Sequence, residues 1–222
     1  MALKLARYAT GRHKTLSMWD SFHGTNLDTI SVGGEALFRQ GLGPMLPGAE
    51  HLPPLHLVRR LFGDDRPFER YADYIDYALA VQGDVAALIA EPMRWTNVET
   101  PPAEFWPRVR DSCTRHGAML VFDEIPSGLG RSGTMYVCEQ LGATPDILAI
   151  GKGLGGGIMP LAAIIANERP NARRERRLVT IPTRKARWPA RPDWRRWKRS
   201  KRRDCWRGRG NSVAPAWRAC RQ

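Results

Sequence analysis

Pro145-Asp-Ile-Leu-Ala-Ile-Gly-Lys-Gly-Leu-Gly-Gly-Gly157 is an apolar run that closes on a lysine and opens into glycines. Ile147 to Ile150 show no polar alternation, the pattern of a strand covered on both faces. Lys152 therefore lies just past the carboxyl end of a buried strand, in a turn whose glycines let other atoms approach closely. An amine held there is expected to be partly desolvated. That disfavours the ammonium and favours the nucleophilic amine, so Lys152 is a candidate Schiff-base lysine.

Upstream, Ala118-Met-Leu-Val-Phe-Asp-Glu-Ile125 is a second apolar run, and it closes on Asp123. Ala86 to Ala90 form a third and end in Glu91-Pro92. Between these strands the apolar residues recur at helical spacing from about Phe68 to Val81 and again from Ala103 to His116, the latter after Pro101-Pro102. Thr15 to Trp19 reads as a short strand, Met135 to Leu141 as a short helix, and Leu161 to Ala166 as a strand. Strands alternating with helices predict an α/β domain with a mostly parallel sheet and flanking helices. The connection from Ile150 to Leu161 is too short for a helical crossover, so that last strand should run antiparallel.

In such a sheet, function collects where the strands end. Glu91, Asp123 and Lys152 each stand at a carboxyl end. Neighbouring strands lie roughly 4.8 Å apart, comparable to the width of a pyridine ring, so an acid and a lysine on nearby strands can hold opposite sides of one ring. Pyridoxal phosphate is used this way, with a lysine on its aldehyde and an acid on its ring nitrogen.

Other motifs are weaker. Gly151-x-Gly153-x-x-Gly156 matches the dinucleotide fingerprint in form, but it runs on into Pro160 and another strand instead of opening a helix. A P-loop is excluded because Gly153, not Ser or Thr, follows Lys152. Asp123-Glu124 is open to a metal or general-acid reading, or to a purely structural one. Ser127-Gly-Leu-Gly-Arg-Ser-Gly133 suits a flexible turn, near a phosphate or not. His23, before a glycine, reads as a general base or, more commonly, as a structural hydrogen bonder. No metal-ligand pattern is found.

The net charge of +13 over 222 residues is unevenly spread. Residues 171–222 hold 19 Lys+Arg against 3 acids, and the rest of the chain is slightly acidic. Trp188, Trp194, Trp197, Trp206 and Trp217 fall in the same basic stretch, which has no apolar periodicity and cannot bury a core of its own. Cys113, Cys138, Cys205 and Cys220 form no paired spacing, which suits free thiols in a reducing compartment. With no signal-peptide pattern and no uninterrupted apolar span, the expectation is a cytoplasmic protein without a membrane segment.

The motifs taken together carry a resemblance. Ala2-Leu-Lys-Leu-Ala-Arg7, Ser21-Phe-His-Gly24, Glu91-Pro92, Val121-Phe-Asp-Glu-Ile125 with Gly128 to Gly133, and Pro145 to Gly157 with Pro160-Leu-Ala-Ala163 occur in order and at family-like spacing. Over residues 1–168 the chain resembles the central part of class III, or omega-type, aminotransferases. These are pyridoxal-phosphate enzymes of fold type I that move an amino group between an amine or amino acid and an oxo acid. The resemblance implies that Lys152 carries the cofactor and then moves the substrate's α-proton, and that Asp123 holds the ring nitrogen. It also implies that Phe22 stacks on one ring face, Ile125 packs on the other, and Glu91 lies behind them. The intact family implies a homodimer.

The departures narrow this. Pro126 stands where the family commonly has a glutamine, and Thr96 where ornithine- and aminobutyrate-type members have a second glutamate, so those substrates are not expected. A phosphate-binding turn and a small domain flank this segment in the family. The expectation is thus an incomplete large domain with impaired activity, or a non-catalytic remnant that pairs with an intact paralogue. A lyase or decarboxylase on the same scaffold is the third reading. Residues 169–222 are expected to be disordered or the product of a shifted frame, and to bind nucleic acid only non-specifically.

Overall fold

The structure, a computed structural model, describes residues 1–170. The Arg- and Trp-rich stretch from 171 onward, with the nucleic-acid and frame-shift readings placed on it, lies outside the described residues. Helix α1 (Ala2–Thr10) leads into strand β1 (Lys14–Met18), then two short helices, α2 (Leu27–Val32) and α3 (Ala36–Arg39), reach strand β2 (Ala49–Leu52). Helices α4 (Val58–Phe62) and α5 (Pro67–Gln82) precede β3 (Val85–Ala90), and α6 (Phe105–Arg115) precedes β4 (Met119–Asp123). Strand β5 (Ile147–Ile150) returns directly as β6 (Ala163–Ala166).

The described strands form one sheet in the order β2-β1-β3-β4-β5-β6. The pairs from β2 through β5 are parallel, whereas β6 is antiparallel to β5, as the short connection predicts. The order places β4 beside β5, with Asp123 opposite Ala149.

The continuous apolar strands are explained by cover on both faces. Leu88, Ala90, Leu120 and Phe122 point into a core with Tyr71, Ile75, Leu79 of α5 and Phe105, Trp106, Val109 of α6. The alternate residues Ala87, Ile89, Met119, Val121 and Ile147 pack with Ala2, Leu3 and Ala6 of α1 on the other side. This is the two-residue period of a strand sandwiched between helix layers. Pro67 opens α5, where its missing N–H costs nothing, and Gly83 closes it in a backbone conformation with φ 68. Trp106 carries the helix layer to the functional edge, because its Nε1 donates to the carbonyl of Pro92 at 3.0 Å.

One local expectation needs correction, and one strand is added. Met135 to Leu141 is not a helix but a single 3-10 turn at Val137–Glu139, since the Glu124 carboxylate takes the N–H groups of Val137 and Cys138 and Gly142 follows with positive φ. Strand β2 carries no sequence signal. It is an edge strand of sequence Ala-Glu-His-Leu with a single buried residue, Leu52.

Candidate active site

Because β1, β3, β4 and β5 run parallel, the segments that follow them meet along one edge of the sheet. The chain leaving β1 turns sharply there. Ser21 is buried and donates its hydroxyl to the carbonyl of Met18 at 2.6 Å, while its own carbonyl accepts the N–H of Gly34 at 2.9 Å. Gly34 has to be glycine, since a Cβ there would collide with the Met18 carbonyl. Gly24 adopts φ +126, and a Cβ on it would come within 2.8 Å of Thr29 Oγ1. These two glycines set Phe22 and His23 against the ends of the next strands.

His23 is the residue whose role the sequence left open. Its Nδ1 lies 2.9 Å from Asp123 Oδ2, with the two side chains 1% and 7% exposed. A carboxylate cannot donate, so Nδ1 carries the proton. Asp123 Oδ1 accepts the backbone N–H of Ile125 at 3.2 Å. With one hydrogen bond on each oxygen among the described residues, Asp123 keeps acceptor capacity to spare. His23 Nε2 is buried and has no hydrogen-bond partner among the described residues. The only local signal for His23 was its place between Phe22 and Gly24; its partner lies 100 residues away.

Glu91, at the end of β3, binds the same turn from the other side. It is 4% exposed, accepts the backbone N–H of Phe22 at 3.2 Å and that of Trp95 at 3.4 Å, and pairs with Arg94. Arg94 also reaches Glu35 at 3.0 Å. Neither Arg94 nor Glu35 was read from the sequence, because a contact between α3 and the loop after β3 leaves no periodic trace. The Phe22 ring is half-buried and leans on Phe38, with centroids 4.6 Å apart.

Asp123 and Glu124 turn out to serve different ends. The Glu124 carboxylate points into the core, accepts the N–H groups of Val137 at 2.6 Å and Cys138 at 2.9 Å, and is 1% exposed. Burial holds its carboxyl above the usual range, with the two backbone donors acting in the opposite direction. It staples a turn and is not a partner in chemistry. The Ser127–Gly133 loop closes on itself through Leu129 and Gly130, whose N–H groups both reach the carbonyl of Met135. Among the described residues no group of three or more His, Cys, Asp or Glu is arranged to hold a metal ion.

Lys152 reaches the same edge by a strained route. It is the first residue of the 3-10 turn Lys152–Gly155 and has φ 45, a region that residues other than glycine rarely enter. Contrary to the expected partial desolvation, the side chain is exposed, because Gly153, Gly156 and Gly157 around it bring no side chains to cover it. Its Nζ stands 5.1 Å from the ring centroid of Trp95. Ile125 is tied into the same corner, since a Cβ on Gly151 would touch its Cγ1 and Cγ2 at 3.4 Å.

A cavity of about 310 Å³ opens beside this corner, between the ends of β1 and β3. It is lined by Asp20, Glu35, Glu91 and Glu99 together with Arg94 and His56, and the acidic excess makes it a poor place for a phosphate.

The matching family model is that of the class-III aminotransferases, over residues 1–176. The chain belongs to this family. It is 44% identical over 187 residues to the (R)-1-hydroxy-2-aminoethylphosphonate ammonia-lyase of Vibrio splendidus (strain 12B01), covering 77% of this chain and 39% of the relative. It is 37% identical over 171 residues to the putrescine aminotransferase of Pectobacterium atrosepticum, covering 75% and 34%. The chain thus spans less than two fifths of the length of either relative. Among solved structures, an amine transaminase from an uncultivated Pseudomonas species in its PLP-bound form superposes with a TM-score of 0.69 at 34% identity, covering 77% of this chain and 41% of that one. The omega transaminase of Pseudomonas jessenii in complex with PMP does so with 0.70 at 26%, covering 77% and 40%.

The fold-type-I, mostly parallel sheet is therefore that of the transaminases, and the class-III family together with its PLP- and PMP-bound neighbours indicates pyridoxal phosphate as the cofactor. The residues present suit that group. Asp123 offers a carboxylate with spare lone pairs to a ring N–H, Lys152 offers an exposed amine to an aldehyde, and Phe22 and Ile125 offer apolar surfaces to a flat ring.

Proposed function

We propose that residues 1–168 form the cofactor-bearing part of an enzyme that transfers an amino group between an amine or amino acid and an oxo acid. The observation that carries this reading is the placement of Asp123 and Lys152 at the carboxyl ends of adjacent parallel strands, with Asp123 oriented by His23. When bound, pyridoxal phosphate supplies an electron sink for the charge that develops on the substrate carbon. Asp123 would accept the ring N–H, and His23 keeps that carboxylate in place. Phe22 and Ile125 would offer apolar surface to the ring and exclude water from it. Glu91 holds Phe22 by its backbone N–H and so fixes the position of the aromatic face. Lys152 Nζ would be the amine that meets the cofactor's aldehyde, and it would serve as the base for the proton on the substrate's amine-bearing carbon.

The whole enzyme in this reading is a homodimer, as in the resemblance that suggested it. Its setting is cytoplasmic, in keeping with the free thiols of Cys113 and Cys138.

The reading is tested by the visible spectrum of the purified chain with added pyridoxal phosphate, followed by borohydride reduction and peptide mapping. A reduced adduct on Lys152, absent in Lys152→Ala, is the expected outcome. A spectrum indistinguishable from that of the free cofactor, with no labelled peptide, would overturn it.

The 44% identity to an ammonia-lyase favours a second reading, in which the same site eliminates ammonia. The two separate on one assay. Transfer requires an oxo-acid acceptor for turnover and releases no ammonia, whereas elimination releases ammonia from an amino donor with no acceptor present.

A further inference from the structure

Trp95 has no part in the chemistry described so far, yet it faces the amine on which that chemistry rests. Its indole lies over Lys152 Nζ at 5.1 Å from the ring centroid, a contact in which the ring's negative face meets a cation. Trp95 is 49% exposed, so part of the ring beside the amine stays open to an incoming molecule.

The backbone that carries the ring is held by several hydrogen bonds. Arg94 and Glu99 exchange backbone hydrogen bonds of 2.9 and 3.1 Å, which makes residues 94–99 a small closed hairpin. Val98 completes the turn at φ 53, and Asn97 Nδ2 donates to Glu99 Oε2 at 3.0 Å. The base of the hairpin is fixed by Glu91, which takes the Trp95 N–H and the Arg94 guanidinium, while Glu35 holds the other arm of Arg94. On the other side of the contact, Lys152 has a left-handed backbone with φ 45. Trp95 lies in the loop after β3 and Lys152 in the turn after β5, so the contact joins segments that follow the two strands flanking β4, whose last residue is Asp123.

We propose that Trp95 is a specificity-determining residue: its indole is the wall beside Lys152 that admits a reacting carbon carrying little bulk and turns away one that is branched or carries a ring. The proposal rests on the reading of Lys152 as the reactive amine. Any carbon that Lys152 attacks or deprotonates must come within bonding reach of Nζ, and the indole occupies one side of that approach. The amino donors selected are therefore those with the amine on an unbranched carbon.

The test uses aldehydes in place of substrate, so it does not depend on turnover. Propanal and 2-naphthaldehyde are offered separately to the purified chain with cyanoborohydride. The Lys152 amine adds to the carbonyl carbon, water leaves, and hydride from the reagent converts the imine into a stable secondary amine that peptide mapping quantifies. In the unaltered chain the propanal product on Lys152 should dominate. Trp95→Ala should raise the naphthyl-to-propyl ratio at Lys152 by about tenfold, the scale on which a pocket wall discriminates by size, and Trp95→Phe by less. Near-UV circular dichroism identifies variants that keep the fold, and if Trp95→Ala loses it the Trp95→Phe shift decides. An unchanged ratio in a folded variant overturns the proposal. Failure of pyridoxal phosphate to label Lys152, with the aldehyde ratio still shifted, would instead remove the reading of the lysine and leave Trp95 as its wall.

Discussion

Two buried aspartates stand at opposite edges of the same sheet, and their surroundings differ in kind. Asp146, just before β5, accepts from Arg110 at 2.6 Å, from the N–H of Leu120 at 2.8 Å, from Arg169 at 3.1 Å and from Asn167 at 3.2 Å. Asp123, at the far end of β4, accepts from His23 and from the N–H of Ile125. Asp146 is enclosed by donors, two of them permanent cations. Asp123 has lone pairs to spare and an exposed lysine at the end of the neighbouring strand. A carboxylate saturated by its own protein locks strands together, whereas one left partly unsatisfied at a shared edge can bind something else.

The comparison breaks most visibly at Asp146. Asp146→Ala leaves the Arg110 guanidinium, and part of Arg169, without a counter-charge in a poorly hydrated place. We expect a loss of about 3–5 kcal/mol in urea unfolding, the cost of removing one partner from a buried pair. A loss under 1 kcal/mol would show that the cluster is a surface feature. Asp123→Asn is expected to act on the ligand instead. It should weaken pyridoxal-phosphate binding by about 1.5–3 kcal/mol, the value of a hydrogen bond to a charged group, while unfolding in the absence of cofactor changes less than in Asp146→Ala. His23→Phe should weaken binding in the same sense but less, because it removes the support of Asp123 and not the acceptor itself.

Acid sharpens the contrast. Burial alone would raise the Asp146 carboxyl, but Arg110 and the Leu120 N–H outweigh it and hold the group below its ordinary value of 3.8. Its stabilising contribution is therefore complete above about pH 4 and is lost as the pH falls from there through the lower value of the folded state. In Asp146→Asn the acid limb of the stability curve should be correspondingly flatter. Equal limbs in the two proteins would contradict this. The smallest effect is expected at Lys152, which is exposed: Lys152→Ala should change stability by no more than about 0.5 kcal/mol, even though it abolishes the reduced cofactor adduct.

Much of this arrangement was legible, for identifiable reasons. Val85–Ala90, Met119–Asp123 and Ile147–Ile150 are covered by helices on both faces, so every residue along them except the terminal Asp123 is apolar, and such runs stand out. Asp123, Glu91 and Lys152 stand out as candidates because Asp123 ends β4 and the other two lie within two residues of a strand's end. Strand β2 was not found because an edge strand with three partly exposed residues has no pattern to show. The turn at Val137–Glu139 was mistaken for a helix because its apolar spacing is helical, while the carboxylate that interrupts it comes from Glu124 on another element.

By itself the sequence determined the class of sheet and its parallel sense, since both follow from local composition and spacing, and it offered candidate groups at the strand ends. The tertiary structure alone decided which strands are neighbours, that His23 and not another residue orients Asp123, that Lys152 is exposed, and that Trp95 stands over it. Those are contacts between segments far apart in the chain. They are set by how helices and strands pack around a common core, and packing between distant segments writes no period into either of them.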